Sequence, residues 1–332
     1  MLSLAQLFLG IISNLNWCAS EFLTFGFISK GMSKLALIRR IKELFDRGEN
    51  VIEFLKCDGD RFNDVESIMI SYDFQAGTYT KLADQNAKYL DQYTDAIKQV
   101  FIQFQDYASI MEVGIGEGTL MNPLMAKLDP EEKIQKFGFD ISWSRTRYAF
   151  QNSEKNESSI NLFMANLFEI PLPDNSVDIV YTSHSLEPNG GREKDALREL
   201  YRVARKYVVL LEPDFVRATV EQKERMVRHG YVQDLARHAK ELDYQVIEDR
   251  PFDVYINPLN RTGLTVIEKC NEIDDVEPFF ICPVTKTALT NYDTAYFSEL
   301  SGLIYPIIDR IPCLLESAAI LGLHFTRFRK SI

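Results

Sequence analysis

The stretch IMEVGIGEGTL, Ile110 to Leu120, decides the fold. A short apolar run, an acidic residue and three alternate glycines stand directly before a helix-like segment, the pattern of a ligand-binding strand-to-helix turn. Gly114, Gly116 and Gly118 carry no Cβ and can take positive φ, so the backbone can turn sharply and let a ligand lie against it. In the dinucleotide fingerprint G-x-G-x-x-G the helix N-terminus receives a pyrophosphate. Here the spacing is G-x-G-x-G, with Glu112 two residues before the first glycine. A carboxylate at that place repels a pyrophosphate and accepts hydrogen bonds from an ammonium group, so the ligand is expected to be cationic near the glycines. Taken alone, such a turn also serves ordinary α/β sheets.

The partners expected of a binding sheet follow in order. KFGFDIS, from Lys136 to Ser142, reads as a second buried strand ending in Asp140. That carboxylate lies about 20 residues beyond the glycines, where it can take both ribose hydroxyls. Asn161 to Asn166 reads as a third strand ending in an amide that can meet an adenine edge. A Pro/Asp/Asn turn then leads into the apolar run Val177 to Tyr181 and a polar tip at Ser183 and His184. In an open parallel sheet, ligands collect outside the carboxyl ends of the strands, so these tips should converge.

These residues resemble the class I S-adenosylmethionine-dependent methyltransferases. EVGIGEG is similar to the first motif of that family, GFDIS to its acidic second-strand tip, and ANLFEIPLPDNSVDIV to its adenine-binding and fourth-strand region. The family usually has Asp where this chain has Asn166. The helix-like Arg192 to Arg205, the run Tyr207 to Leu211 and the tip Glu212-Pro213 resemble the approach to the fifth strand and the strand itself. Tyr244 to Val254 and Thr262 to Cys270 would be the last two strands, antiparallel in the family. The resemblance implies an α/β, Rossmann-like, seven-stranded and mostly parallel sheet with helices on both faces, spanning residues 71–270. It also implies S-adenosylmethionine as cofactor, held by Tyr79, Glu112, Gly114, Gly116, Gly118, Asp140, Ile141, Asn166, Leu167 and Ser183. In many members a tyrosine-bearing segment before the glycine turn closes over the methionine part of the cofactor. SYDFQAGTYTKLAD, Ser71 to Asp84, is polar and aromatic and stands in that place, with Tyr79 first and Tyr72 second; packing of both tyrosines beneath the following helix is the competing reading.

With 332 residues and 46% hydrophobic content the chain can bury a sizeable core. Its net charge of −11 is no footprint for long nucleic acid, so no DNA partner is expected and a small or neutral acceptor is favoured. Cys18, Cys57, Cys270, Cys282 and Cys313 form no C-x-x-C pairs, so neither a disulfide framework nor a metal site is written here, and a reducing cytoplasm is the simplest compartment. No run of about 18 apolar residues has transmembrane quality.

Residues 1–70 read as an N-terminal helical extension. Met1 to Lys30 holds only Glu21 and Lys30 as charges and lacks a basic n-region. Three readings stand: a start upstream of a true start at Met32, an apolar helix packing on the fold or on a dimer partner, and an interfacial helix giving membrane contact through residues 1–30. From Ser33, the recurrence of Ile38, Ile41 and Phe45 predicts an amphipathic helix that covers a sheet edge.

After Cys270 an acidic linker leads into FFICPVTKTALT and, from Gly302, GLIYPIIDRIPCLLE, where Pro306 and Pro312 punctuate short β-rich runs. This small α+β module, residues 276–332, resembles the small activator protein that partners tRNA, rRNA and release-factor methyltransferases. Cys282-Pro283, Leu289 and the YPIIDRIPCLL run carry the likeness. The zinc-bearing members have more cysteines than Cys282 and Cys313 offer.

Methyl transfer from a sulfonium is an in-line displacement in which the protein aligns the acceptor and removes its proton, so it requires no metal. His184, at the fourth-strand tip, is the first candidate base. His229, in RHGYVQDLARH, is the second, with Tyr231 and Glu212 as residues that orient substrate. The expected function is methylation of a small molecule, sugar or envelope precursor. The alternatives are an RNA or protein acceptor, or a scaffold that binds the cofactor without chemistry; a nicotinamide enzyme is disfavoured by the glycine spacing. Oligomeric state is not legible.

Overall fold

Helices come first in the computed structural model, which describes residues 34–56, 62–255, 257–269 and 276–329. The expectations for Met1 to Lys30, and Cys18, Cys57 and Cys270, lie outside these residues. The chain opens with α1 (Lys34–Asp46), α2 (Val51–Leu55), α3 (Val65–Phe74), α4 (Thr78–Gln85) and α5 (Ala87–Phe101). In α1, Ile41 and Leu44 are buried and Phe45 meets Phe74 of α3 at 6.2 Å. The helix therefore packs on its helical neighbours, where sequence periodicity had suggested the edge of the sheet. The face of α5 that carries Tyr93, Ile97, Val100 and Phe101 is buried, at the i, i+4, i+7 spacing of an amphipathic helix.

An alternation of strand and helix follows: β1 (Ser109–Val113), α6 (Met121–Leu128), β2 (Gln135–Asp140), α7 (Trp143–Lys155), β3 (Asn161–Met164), β4 (Val177–Ser183), α8 (Glu193–Val203) and β5 (Ala204–Pro213). After β5 come α9 (Val220–Arg228), α10 (Leu235–Lys240), β6 (Gln245–Pro251) and β7 (Thr262–Glu268). The seven strands form one sheet in the order β3-β2-β1-β4-β5-β7-β6, parallel except for β7, which runs antiparallel to both neighbours. Helices on both faces explain why β1, and β4 from Val177 to Thr182, are buried at every position, as parallel strands require. The strand order reverses between β1 and β4, which places the ligand crevice outside their carboxyl ends.

The carboxyl end of the chain forms β8 (Thr290–Asn291), β9 (Ala295–Phe297), β10 (Leu303–Ile308), β11 (Ile311–Pro312) and β12 (Ile320–Leu321), an antiparallel sheet, followed by α11 (Phe325–Arg329). This sheet is docked on the outer edge of β3. Cys313 pairs with Met164 in a parallel bridge, Leu314 N–H donates to Met164 C=O at 2.8 Å, and Ile281 N–H donates to Pro171 C=O at 3.0 Å. An open edge of unpaired N–H and C=O groups is thereby closed. Beneath it, Cys282, Tyr305 and Leu314 belong to the same buried cluster as Phe163, Ala165 and Ile170. Among the described residues no helix is long and apolar enough to cross a membrane.

Phe163 joins the two sheets, stacked on Phe139 at 5.3 Å and edge-on to Phe280 at 5.1 Å, with no exposed surface. Phe163→Ala should lower unfolding stability by about 3–5 kcal/mol. Because the core is shared, urea unfolding of the wild type should show a single transition by both near- and far-UV circular dichroism. Two separated transitions would mean that the C-terminal sheet unfolds by itself.

Candidate active site

The three glycines do what their missing side chains allow. Gly114, Gly116 and Gly118 have φ of 67°, 57° and 69°, the left-handed region that side chains avoid. A Cβ on Gly114 would stand 2.4 Å from Cβ of Ser185, and one on Gly116 would stand 2.7 Å from Nη2 of Arg145. The turn is thus pressed between the tip of β4 and the first turn of α7. Asp140, at the end of β2, closes it from the side: its Oδ2 accepts from Gly116 N–H at 3.0 Å and its Oδ1 from Ser142 N–H at 2.9 Å. Each carboxylate oxygen keeps a further lone pair for a ligand hydroxyl.

Glu112 is 3% exposed on β1 and accepts one hydrogen bond, from the Tyr181 hydroxyl at 2.7 Å. Burial pushes its pKa up to about 8; the Tyr181 hydrogen bond works against that rise, and the charge of Asp140 adds to it. At neutral pH this carboxyl is therefore held mostly protonated, and a cation placed beside it would ionise it. Glu117, inside the glycine turn and 1% exposed, serves differently. Its carboxylate accepts from the N–H groups of Gly77, Tyr79 and Thr80 at 2.9, 3.1 and 2.7 Å, which ties the N-terminus of α4 to the turn. Tyr79 is thereby held near the glycines, its ring centre 4.6 Å from the Arg145 guanidinium carbon.

Of the remaining residues expected to hold cofactor, Ser183 shares a 3.0 Å hydrogen bond with the Tyr93 hydroxyl. Asn166 turns its Oδ1 back onto Phe168 N–H at 3.1 Å, an Asx turn that leaves its Nδ2 for a ligand. Ile141 is half-buried beside Asp140, and Leu167 packs against the core.

The tip of β4 is built around Glu212, 2% exposed at the end of β5. Its carboxylate accepts from the N–H groups of Ser185, Leu186 and Glu187 at 3.0, 3.0 and 3.1 Å. Glu212 thus orients a backbone loop, where the sequence had suggested that it orients substrate. His184, in the left-handed region at φ 52°, uses both ring nitrogens: Nδ1 lies 3.0 Å from Glu187 Oε2 and Nε2 lies 2.8 Å from Thr262 Oγ1. Desolvation alone would lower its pKa, but the Glu187 hydrogen bond and charge, with the charge of Glu212, raise it overall. The imidazole therefore shares its protons with its neighbours and offers no spare lone pair to an acceptor in this arrangement.

His229 is placed on the other side of the same loop. Asn63 Nδ2 bridges the carbonyls of Pro188 and His229 at 2.8 and 3.1 Å, and Val232 N–H donates to Glu187 C=O at 3.0 Å. Desolvation, then the charges of Arg225 and Arg228, lower the His229 pKa to about 4, so its imidazole is neutral at physiological pH. Tyr231 lies against His229, the rings tilted by 31° with centres 5.5 Å apart, and shares Glu187 with Asn260, whose Nδ2 donates at 2.8 Å. Asn63 Oδ1, Asn260 Oδ1 and Arg225 Nη1 are buried around this loop with no hydrogen-bond partner among the described residues. Sequence reading missed Asn63, Arg145, Glu187, Arg225 and Asn260. Only Glu187 carried a local signal, three residues after a candidate histidine; the others are brought in from remote segments. Among the described residues no group of three or more His, Cys, Asp or Glu is placed to hold a metal ion.

Glu212→Ala would leave three backbone N–H groups at the β4 tip without their acceptor and should cost more than about 3 kcal/mol in urea unfolding. A loss below about 1 kcal/mol would show that water or another carboxylate replaces it.

Residues 110–207 match the family described as methyltransferase domain. No curated protein matches the chain. Among solved structures, the chain is similar to an S-adenosylmethionine-dependent methyltransferase from Aquifex aeolicus, at 17% identity over 52% of this chain and 88% of that one, with a TM-score of 0.39. It is similar to the magnesium protoporphyrin IX methyltransferase from Synechocystis PCC 6803 with bound SAH, at 14% identity over 70% and 99% of the two chains, with a TM-score of 0.43. A Leishmania major methyltransferase gives 11% identity, 59% and 79% coverage and a TM-score of 0.48. The family match runs from β1 to the start of β5, the strands whose tips form the site described above.

Proposed function

We propose that the protein transfers a methyl group from S-adenosylmethionine to a small hydroxylated acceptor, a sugar or an envelope precursor among them. The observation that carries the cofactor is the pair of buried carboxyls, Glu112 and Asp140, on either side of three left-handed glycines. When bound, S-adenosylmethionine supplies an activated methyl on sulfur, which leaves as the acceptor's lone pair attacks from the opposite side. The chain's own residues have four tasks. Glu112 meets the ammonium, Asp140 the ribose hydroxyls, and Asn166 Nδ2 the adenine edge. Glu212 and Glu187 keep the β4 tip rigid, so that the acceptor is held in line.

The unpartnered atoms around Glu187 support this acceptor class. The amide oxygens of Asn63 and Asn260 can accept from hydroxyls, and Arg225 Nη1 can donate to an oxygen, a set suited to a polyhydroxylated molecule. His229, neutral and beside Tyr231, is the better placed of the two histidines to take the acceptor's proton, since His184 holds Glu187 and Thr262. Acidic net charge argues against RNA. The C-terminal sheet, by its resemblance to the methyltransferase activator, is a cover fused in cis for the β3 edge.

Calorimetric titration with S-adenosylmethionine and S-adenosylhomocysteine, with NAD as control, tests the cofactor; saturable binding of the first two alone is expected. Asp140→Ala should weaken binding by about 1.5–3 kcal/mol, and unchanged affinity would move the ribose elsewhere. Because a cation lowers the raised pKa of Glu112, binding at pH 7 should release close to one proton, seen by titrating in buffers of different ionisation enthalpy. Affinity should rise between about pH 6 and 7.5 as that proton becomes easier to lose, by up to tenfold per pH unit. Glu112→Gln should abolish both the release and the slope; their persistence would take Glu112 out of the site.

A further inference from the structure

Arg145, on the first turn of α7, is 9% exposed, and its guanidinium lies directly over the glycine turn, 2.7 Å from where a Gly116 Cβ would stand. Its guanidinium carbon is 4.9 Å from the ring centre of Tyr72 and 4.6 Å from that of Tyr79, so two aromatic faces hold it in place. Its ion pair with Asp140 spans 4.0 Å, beyond hydrogen-bond reach, and that oxygen already receives Gly116 N–H. Nε is buried with no hydrogen-bond partner among the described residues. A guanidinium parked here for the stability of the fold alone would have its donors satisfied; this one is positioned by stacking and left with donors to offer.

A bare positive charge in a cradle for a sulfonium would repel its ligand, unless the ligand also brings an anion. S-adenosylmethionine does so. Its ribose hydroxyls and ammonium have partners in Asp140 and Glu112, and its α-carboxylate is the remaining polar group, planar and matched to the two-pronged donor face of arginine. We propose that Arg145 binds the α-carboxylate of S-adenosylmethionine, making it a specificity-determining residue that selects the intact amino-acid end of the cofactor. The inference rests on the cofactor reading above.

The test compares S-adenosylmethionine with its decarboxylated analogue, which keeps the ribose, sulfonium and amine and lacks only the carboxylate. Both are titrated by calorimetry into the full chain and into Arg145→Met and Arg145→Lys, with circular dichroism to confirm folding. The wild type should prefer S-adenosylmethionine by about tenfold or more, Arg145→Met should lose that preference while holding the analogue within about twofold, and Arg145→Lys should keep part of it. Equal weakening of both ligands in Arg145→Met would assign Arg145 a structural role and overturn the proposal. Tighter binding of both would make it a plug and overturn it equally. Equal wild-type affinity for the two ligands overturns it without recourse to a variant. Wild-type protein that binds neither ligand would overturn the cofactor reading itself, and the role of Arg145 with it.

Discussion

Buried carboxylates that accept backbone N–H groups at the ends of parallel strands are what the rest of this structure depends on. Asp140 takes Gly116 and Ser142, Glu117 takes Gly77, Tyr79 and Thr80, and Glu212 takes Ser185, Leu186 and Glu187. Each bond is desolvated, so losing one side leaves the other stranded. Three loops from distant parts of the chain are thereby held with little freedom around one crevice. Glu112 stands apart from this set. Its hydrogen-bond partner among the described residues is the Tyr181 hydroxyl instead of a row of N–H groups, and burial raises its pKa, as it also raises that of Glu212 to about 7.

The same logic explains the division of labour at the β4 tip. His184 carries the expected residue type at the expected strand end, yet its geometry makes it part of the frame, linking Glu187 to Thr262 on β7. Buried polar atoms with no partner among the described residues lie further out, on Asn63, Arg225 and Asn260, which come from the loop before α3, α9 and the loop before β7. The surroundings of the β4 tip are thus assembled from segments added around the sheet, while the sheet supplies rigidity.

The C-terminal sheet belongs to the frame as well. β3 would otherwise present an open edge, and the residues that close it, Cys313 and Leu314, come from about 150 positions downstream. Its burial of Phe163, on the strand that leads to Asn166, couples the C-terminal sheet to that strand end through packing.

From the sequence alone came the succession of strands along the chain, the glycine turn, Asp140 at the second strand tip and the antiparallel last pair, because each is written locally. Apolar runs of strand length, glycines that need positive φ and carboxylates at run ends are consequences of neighbouring residues, and their signal does not depend on what packs against them. The roles of Glu117, Arg145, Glu187 and Glu212 were decided only by the tertiary structure. Whether a charged side chain caps a loop, stacks on tyrosine or faces a ligand depends on which N–H groups and rings the fold brings within about 3–5 Å of it. Those neighbours lie as much as 40 residues away for Glu117, and 66 to 73 for Arg145 with its tyrosines. No spacing along the chain encodes such a distance.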